Sequence, residues 1–295
     1  MIHTANKEKT PTETARSTGW FRSHQVTSYF IITYAITWGI GLVAILFPEQ
    51  FKRIFGELNY FNPVAIIAIA APTISATILA WAWEGRPGLK ALYARLIQWR
   101  FGIQWYALIL LGIPLLGWMS TLVMSAAPVF VFTSPLMAVS VFLNLLYTGP
   151  LGEELGWRGY ALPRLLKQFN PLVASLVLGF FWGVWHLPSF FISSTVQSGL
   201  SLPMFLLFGI CTSVLMTWIF RNTGGSVLAA VLFHYTINIS FSIIGAPLSV
   251  FGLELLILAT LVVALDKKLG WFNKPYSRTH GVPKKNTLPV EKPTG

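Results

Sequence analysis

Apolar residues run in about eight blocks, each close to the 20 residues that a helix needs to cross a hydrocarbon core about 30 Å thick. They fall at residues 26–47, 62–83, 104–125, 136–154, 171–191, 202–221, 226–244 and 247–265. Polar or helix-breaking residues separate them: Pro48, Asn62-Pro63, the stretch from Gly85 to Gly88, Pro128, Pro171, Pro203, Gly224-Gly225 and Pro247. The pattern predicts an all-α fold, a polytopic membrane helical bundle of about eight transmembrane helices. No internal repeat is visible.

Charge follows the blocks. From the N-terminal tail through the seven loops to the C-terminal tail, Lys plus Arg number 4, 2, 4, 0, 3, 0, 1, 0 and 7, so alternate compartments hold 19 and 2 of the 21. Cationic loops stay on the cytoplasmic side, which places both termini there and predicts an integral membrane protein. Residues 1–25 read as a cytoplasmic tail without a cleavable signal peptide, 26–265 as the transmembrane domain, and 266–295 as a basic, disordered cytoplasmic tail. Short loops and the lack of an organelle signal suit a bacterial plasma membrane.

Composition narrows the function classes. Only 11% of residues are charged against 54% hydrophobic, far below the roughly 25% charged of a soluble domain. The net charge of +11 lies in tails and alternate loops rather than on one face, so no nucleic-acid partner is expected. Cys211 is the single cysteine and cannot form an internal disulfide. The expected partners are membrane lipid and a peptide or protein substrate.

Ionisable residues inside spans cost at least about 2.5–3.5 kcal/mol each, so each asks for a partner or a use. Glu153, Glu154, Glu254, His186 and His234 are such residues. Glu154 and Arg158 stand i,i+4 and can pair, while Glu153 is turned by about 100° and points elsewhere. A structural ion pair accounts for Glu154 and Arg158 and leaves Glu153 unexplained. His186 lies in Trp182-Gly183-Val184-Trp185-His186-Leu187-Pro188, and Pro188 frees a backbone carbonyl as suits a cavity. His234 and Asn238 share a helix face; hydrogen bonding between helices is the plain alternative for both. Glu254 has no evident partner.

Together, two carboxylates, an arginine, two imidazoles and an amide can hydrolyse a peptide. Carboxylate and imidazole hold and deprotonate a water, and a second imidazole and an amide donate to an oxyanion. The same set could hold Zn²⁺ through Glu153, His186 and His234, and the residues alone do not choose. Other protease classes lack their signatures: there is no His-Glu-x-x-His, no Gly-x-Ser-Gly, and Asp266 is the single aspartate.

The ordered motifs resemble the CAAX prenyl endopeptidase and bacteriocin-processing (CPBP, or Abi) family of intramembrane proteases. Its Glu-Glu-x-x-x-Arg is matched by Glu153 to Arg158. Its Phe-x-x-x-His is matched by Trp182 to His186, with Trp in place of Phe, an exchange expected to alter packing more than chemistry. Its His-x-x-x-Asn is matched by His234 to Asn238. The motif-bearing region runs from about 136 to 244. The resemblance implies an endopeptidase acting on CAAX-type, prenylated or other membrane-associated peptides. Glu153 would be general base on water assisted by His186, Glu154 would orient the site with Arg158 in support, and His234 and Asn238 would stabilise the oxyanion. The family is often labelled metal-dependent, and a metal-free glutamate mechanism is the reading preferred here over a zinc one. Two other readings stay open: a non-catalytic binding or immunity protein of the same fold, and a proton-coupled transporter. Depth is a tension. His186 lies about 22 Å past Pro171 and His234 about 12 Å past Ser226 along their helices, yet Glu153 stands at the cytoplasmic end of its predicted span.

Overall fold

A computed structural model describes residues 23–59, 61–124 and 134–269, with side chains to residue 265. Most of the proposed N-terminal tail, the loop around Pro128 and nearly all of the C-terminal tail lie outside the described residues. Every regular element among those described is helical: α1 (Gln25–Leu46), α2 (Pro48–Phe55), α3 (Pro63–Ile69), α4 (Ala71–Tyr93), α5 (Ile103–Val123), α6 (Pro135–Leu165), α7 (Pro171–Trp185), α8 (Leu202–Asn222), α9 (Val227–Ile244) and α10 (Leu248–Leu269). Seven helices are long and apolar enough to cross a membrane. The pair α3 and α4, bent by 62° at Ala70, makes an eighth if taken as one span. The polytopic all-α bundle is therefore as predicted.

Local sequence accounts for the starts. Asn62, Ser134, Asn170 and Ser226 accept hydrogen bonds from backbone N–H groups of the first turns of α3, α6, α7 and α9, and Pro occupies the first turn of three of them, where no N–H is needed. Residues 95–98 then latch the start of α9. Gln98 Nε2 donates to the Thr223 and Gly224 carbonyls, Ser226 Oγ donates to the Gln98 carbonyl, and Val227 N donates to the Arg95 carbonyl. Gly224 and Gly225 both hold positive φ, 67° and 83°, which a side chain would resist.

Gly85, at φ 63° and ψ −155°, kinks α4 where the pattern stops the second span, with helix resuming to Tyr93, and three other boundaries differ from the pattern. The fourth span does not stop at 154. α6 continues to Leu165 through two π-helical turns, Tyr147–Leu151 and Trp157–Ala161. Pro163 falls in a first-turn position of the last α-helical segment, where it is tolerated, so the cluster Arg158, Pro163, Arg164 and Lys167 imitated a loop. Arg158 is fully buried and leaves the cytoplasmic tally, which lowers the larger total by one and keeps the asymmetry. Second, Pro48–Phe55 is a short helix rather than a loop, with Phe51 turned inward. Third, α10 runs on to Leu269, into the segment read as tail.

Lipid supplies no hydrophobic drive between helices, so close van der Waals approach through small residues must do the joining. A Cβ on Gly179 of α7 would stand 2.7 Å from the Ile210 Cα of α8, and one on Gly117 of α5 would stand 2.7 Å from Ser240 of α9. Two buried clusters result. One gathers Tyr29, Trp157, Tyr160, Leu178, Trp182, Trp185 and Phe220. The other gathers Ile109, Phe208, Met216, Phe233, Phe251 and Leu255. α9 joins them, with Val231 in the first and Phe233 in the second, and His234 follows directly.

Glu254 finds the partner that the sequence did not show: Ser120 Oγ of α5 lies 2.6 Å from its Oε2. Ser120→Ala should leave that carboxyl without its partner and lower stability by about 1–3 kcal/mol, read as thermal unfolding in detergent. Pairing it with Glu254→Leu, which removes both polar groups, should recover most of the loss. A double variant no more stable than Ser120→Ala would deny the contact its structural role.

Candidate active site

The extension of α6 carries Glu153 away from the end of its span, and His234 stays the shallowest of the three. Glu153 stands about 18 Å from Leu165 along α6, beside about 22 Å for His186 along α7 and about 10 Å for His234 past Val227 along α9. The carboxylates of Glu153 and Glu154 and the His234 ring each place a ligand-type atom within 4.8 Å of the others. Glu153 and His234 are 4% and 6% exposed, and Glu154 and Arg158 are wholly buried.

Glu154 is the hub. Its Oε1 accepts from Arg158 Nη1 at 2.9 Å and sits 2.8 Å from His234 Nδ1. A carboxylate facing Nδ1 assigns the proton to that nitrogen and leaves Nε2 to face the other way. Glu154 Oε2 and Arg158 Nε and Nη2 are buried with no hydrogen-bond partner among the described residues. The Arg158 guanidinium lies over the Trp182 ring at 4.6 Å, which offsets part of that deficit. Tyr29 of α1 closes the far wall, its ring against Trp157 and Tyr160, so the first span, which carries no motif, contributes to the surroundings of the site.

Trp182 corrects the expectation that its exchange for Phe is mainly a matter of packing. Its Nε1–H donates to Glu153 Oε2 at 2.7 Å in a buried setting, a bond that Phe cannot make. Its ring also touches both histidines, with centroids 5.9 Å from His186 and 5.3 Å from His234. His186 is the first residue past α7. Pro188 follows, the chain passes into a short 3₁₀ turn, and His186 Nδ1 lies 2.9 Å from the Trp182 carbonyl. Trp185 and Phe205 wall the ring. It lies in electrostatic range of Glu153 and His234, yet it is not among the clustered donor atoms. Those are Glu153, Glu154 and His234, which differs from the metal set Glu153, His186 and His234 expected from the sequence.

Asn238 comes in from α9, one turn beyond His234. A Cβ built on Gly149 would lie 3.1 Å from Asn238 Nδ2, 3.5 Å from Glu153 Oε1 and 3.5 Å from His234 Nε2. All six residues singled out in the sequence thus lie in one region between α6, α7 and α9. Sequence reasoning missed Gly149 and the donor role of Trp182. The first had a signal in its spacing, four residues before Glu153 and so on the same face of a helix.

Comparison with known proteins fits this assembly. Residues 133–240 match the family model described as Type II CAAX prenyl endopeptidase Rce1-like. The chain is 30% identical over 173 residues to "CAAX prenyl protease 2" of Methanococcus maripaludis, a match that covers 55% of this chain and 61% of that protein. The chain thus matches about three fifths of the length of that curated relative. The resemblance drawn from the three motifs is borne out over the segment that carries them.

The buried ion pair makes a stability prediction. Arg158→Met should strand the Glu154 carboxylate and cost about 3–5 kcal/mol, seen as a lower midpoint of thermal unfolding. Adding Glu154→Gln should restore part of the loss. Equal stability of Arg158→Met and the native chain would show that the pair does not stabilise the bundle.

Proposed function

We propose that this chain is an intramembrane endopeptidase of the CAAX prenyl protease type, hydrolysing a peptide bond of a membrane-associated, lipidated protein or peptide. One observation carries the reading: a carboxylate oxygen, an imidazole nitrogen and an amide nitrogen gather within 3.1–3.5 Å of the position that a Gly149 Cβ would take, deep in a helical bundle and beside a buried ion pair. The family match supports the reaction class, and the name of the relative supports the substrate class.

In the proposed reaction Glu153 takes a proton from water as that water's oxygen bonds to the scissile carbonyl carbon. The π electrons of the carbonyl move to its oxygen, and the Asn238 N–H, joined by a His234 Nε2–H when that ring carries both protons, meets the negative charge. Collapse re-forms the carbonyl and breaks the C–N bond, and the proton held at Glu153 passes to the leaving amine. His186 stands beside Glu153 with Nε2 free, its Nδ1 being committed to the Trp182 carbonyl, and assists that transfer. Glu154 holds the His234 Nδ1–H and so the orientation of the ring, and Arg158 balances Glu154.

The Arg158 guanidinium disfavours a zinc ion at Glu154 Oε1. Glu154 Oε1 already carries the Arg158 guanidinium and the His234 Nδ1 contact, and a cation so close to a ligand oxygen repels a dication. The reading is therefore metal-free. Charge asymmetry along the chain supports a plasma-membrane protein with both termini in the cytoplasm.

The test uses the full chain in detergent, with fluorogenic peptides that include farnesylated C-terminal sequences. Wild type is compared with Glu153→Ala and His186→Ala, each with and without a strong chelator. Cleavage should survive the chelator and disappear in both variants. Loss in chelator with recovery on adding Zn²⁺ would overturn the metal-free mechanism. A cellular phenotype that persists in Glu153→Ala would instead favour a binding or immunity role. Trp182→Phe should lower kcat about 10-fold, the value of one hydrogen bond to a charged group, with little change in KM; an unchanged kcat would leave the indole N–H without a function.

A further inference from the structure

One face of the first span is given to a single neighbour. Tyr34, Thr37, Trp38 and Gly41 follow one another at i, i+3, i+4 and i+7, which sets them in one row along α1. All four meet the end of α7 and the turn after it. Tyr34 Oη donates to the Phe181 carbonyl at 2.5 Å, Trp185 Nε1 donates to Thr37 Oγ1 at 2.8 Å, and Trp38 Nε1 donates to the Trp185 carbonyl at 3.1 Å. A Cβ on Gly41 would stand 2.6 Å from the Pro188 Cβ. Two bonds of this row answer carbonyls that their own helices abandon. The Trp185 carbonyl loses its i+4 partner because the Ser189 N–H turns to the His186 carbonyl, and Trp38 takes its place. The Ala68 carbonyl of α3 has Pro72 at i+4, which carries no N–H, and Thr37 Oγ1 donates to it at 2.7 Å.

We propose that Thr37 is a positioning residue for His186, acting through the Trp185 indole. His186 stands just past the last residue of α7, where the helical ladder gives way to a 3₁₀ turn, so its ring depends on side-chain neighbours for its place. Its Nδ1 is tied to the Trp182 carbonyl, and the nearest ring beside it is that of Trp185, edge to face with centroids 4.6 Å apart. Trp185 is 3% exposed, so an indole N–H deprived of its acceptor has no water to turn to and must swing away or stay unpaired. Thr37 prevents both. The single proton of its hydroxyl is committed to Ala68, which leaves the oxygen lone pairs to Trp185. One hydroxyl thereby joins α1, α3 and α7, and a span that carries none of the three motifs holds the wall of a motif histidine. The kinetic part of this inference rests on the peptidase reading, and the placement of His186 does not.

The experiment compares the full chain in detergent with Thr37→Val, which keeps the shape and removes the hydroxyl, and Thr37→Ser, which restores it. Ser120→Ala is the control for a loss of stability far from His186. Two quantities are read: kcat and KM on the fluorogenic peptide, and the NMR signals of the His186 ring, identified by their loss in His186→Gln. Thr37→Val should lose about 10-fold in kcat, keep its KM and move the His186 signals. Thr37→Ser should return both to native values, and Ser120→Ala should leave both unchanged. Trp185→Phe, which deletes the N–H itself, should lose kcat to the same degree, and adding Thr37→Val to it should cost nothing more, since one bond cannot be lost twice. If Thr37→Val does not fold, Trp185→Phe reads the same bond, and native kcat there overturns the proposal. Unmoved His186 signals in Thr37→Val overturn it whatever the kinetics. So does a loss of kcat in Ser120→Ala as large as in Thr37→Val, which would reduce the effect to stability. A wild type that cleaves no peptide, with His186 signals that move in Thr37→Val and return in Thr37→Ser, supports the positioning role while overturning the peptidase reading.

Discussion

One carboxylate oxygen organises the centre of this protein. Glu154 Oε1 meets the Arg158 guanidinium at 2.9 Å and the His234 ring at 2.8 Å, with Glu154 and Arg158 fully shielded. A charge in the interior of a membrane bundle has no water to fall back on, and removing either partner strands the other. The first contact is local to α6. The second reaches across to α9 and fixes how that helix is rotated, because a single ring nitrogen must face the carboxylate. Once Nδ1 is committed, Nε2 and the Asn238 amide one turn further on have a set direction, toward Gly149 and Glu153. The latch between residues 95–98 and the Gly224-Gly225 turn holds the start of α9, so that the rotation chosen at His234 is not lost along the helix.

α7 is tied to the same centre by an uncharged bond. The Trp182 indole N–H reaches Glu153 Oε2, and its ring carries the Arg158 guanidinium on its face. The two adjacent carboxylates therefore live differently. Glu154 is held by a guanidinium and an imidazole, while Glu153 is held at one oxygen by a neutral donor and keeps the other oxygen open. Neighbouring carboxylates in unlike surroundings are the usual way for one site to divide labour between a working group and a supporting one. Trp182 sets both environments at once, since it donates to one and stacks on the partner of the other.

Much of this was legible in the chain. Apolar blocks and capping residues marked the spans because lipid tolerates few polar residues and helix starts need specific ones. Glu153, Glu154, His186 and His234 stood out because ionisable groups are rare inside spans, and Arg158 and Asn238 because each stands four residues from one of them. What the pattern hid has physical causes too. The end of α6 was misread since Arg158 is buried against Glu154 rather than facing water, and Pro163 sits where a helix accepts proline. Glu254 looked partnerless because its partner, Ser120, is a hydroxyl that is unremarked in any span. The donor function of Trp182 was concealed because an aromatic in an apolar run declares its surface before its N–H. Gly149 was overlooked because a glycine carries no polar side chain of its own, and the three polar atoms beside it come from Glu153 on α6 and from His234 and Asn238 on α9.

The spacing along α6 contains the design in compressed form. Gly149 and Glu153 form one i,i+4 pair. Glu154 and Arg158 form another, displaced by five residues along the helix, with Glu154 turned about 100° from Glu153. Glu153 diverges from the ion pair because it belongs to the other row. One row presents a glycine and a carboxylate, and the other presents a neutralised carboxylate to the His234 ring. π-helical turns bracket both rows, at Tyr147–Leu151 and Trp157–Ala161. Such turns are frequent at functional sites, and the first contains Pro150, which has no N–H for the carbonyl of Leu146. Two adjacent glutamates on a regular helix would serve two different neighbours wherever they stood. Here the residues four before the first and four after the second decide what those neighbours are.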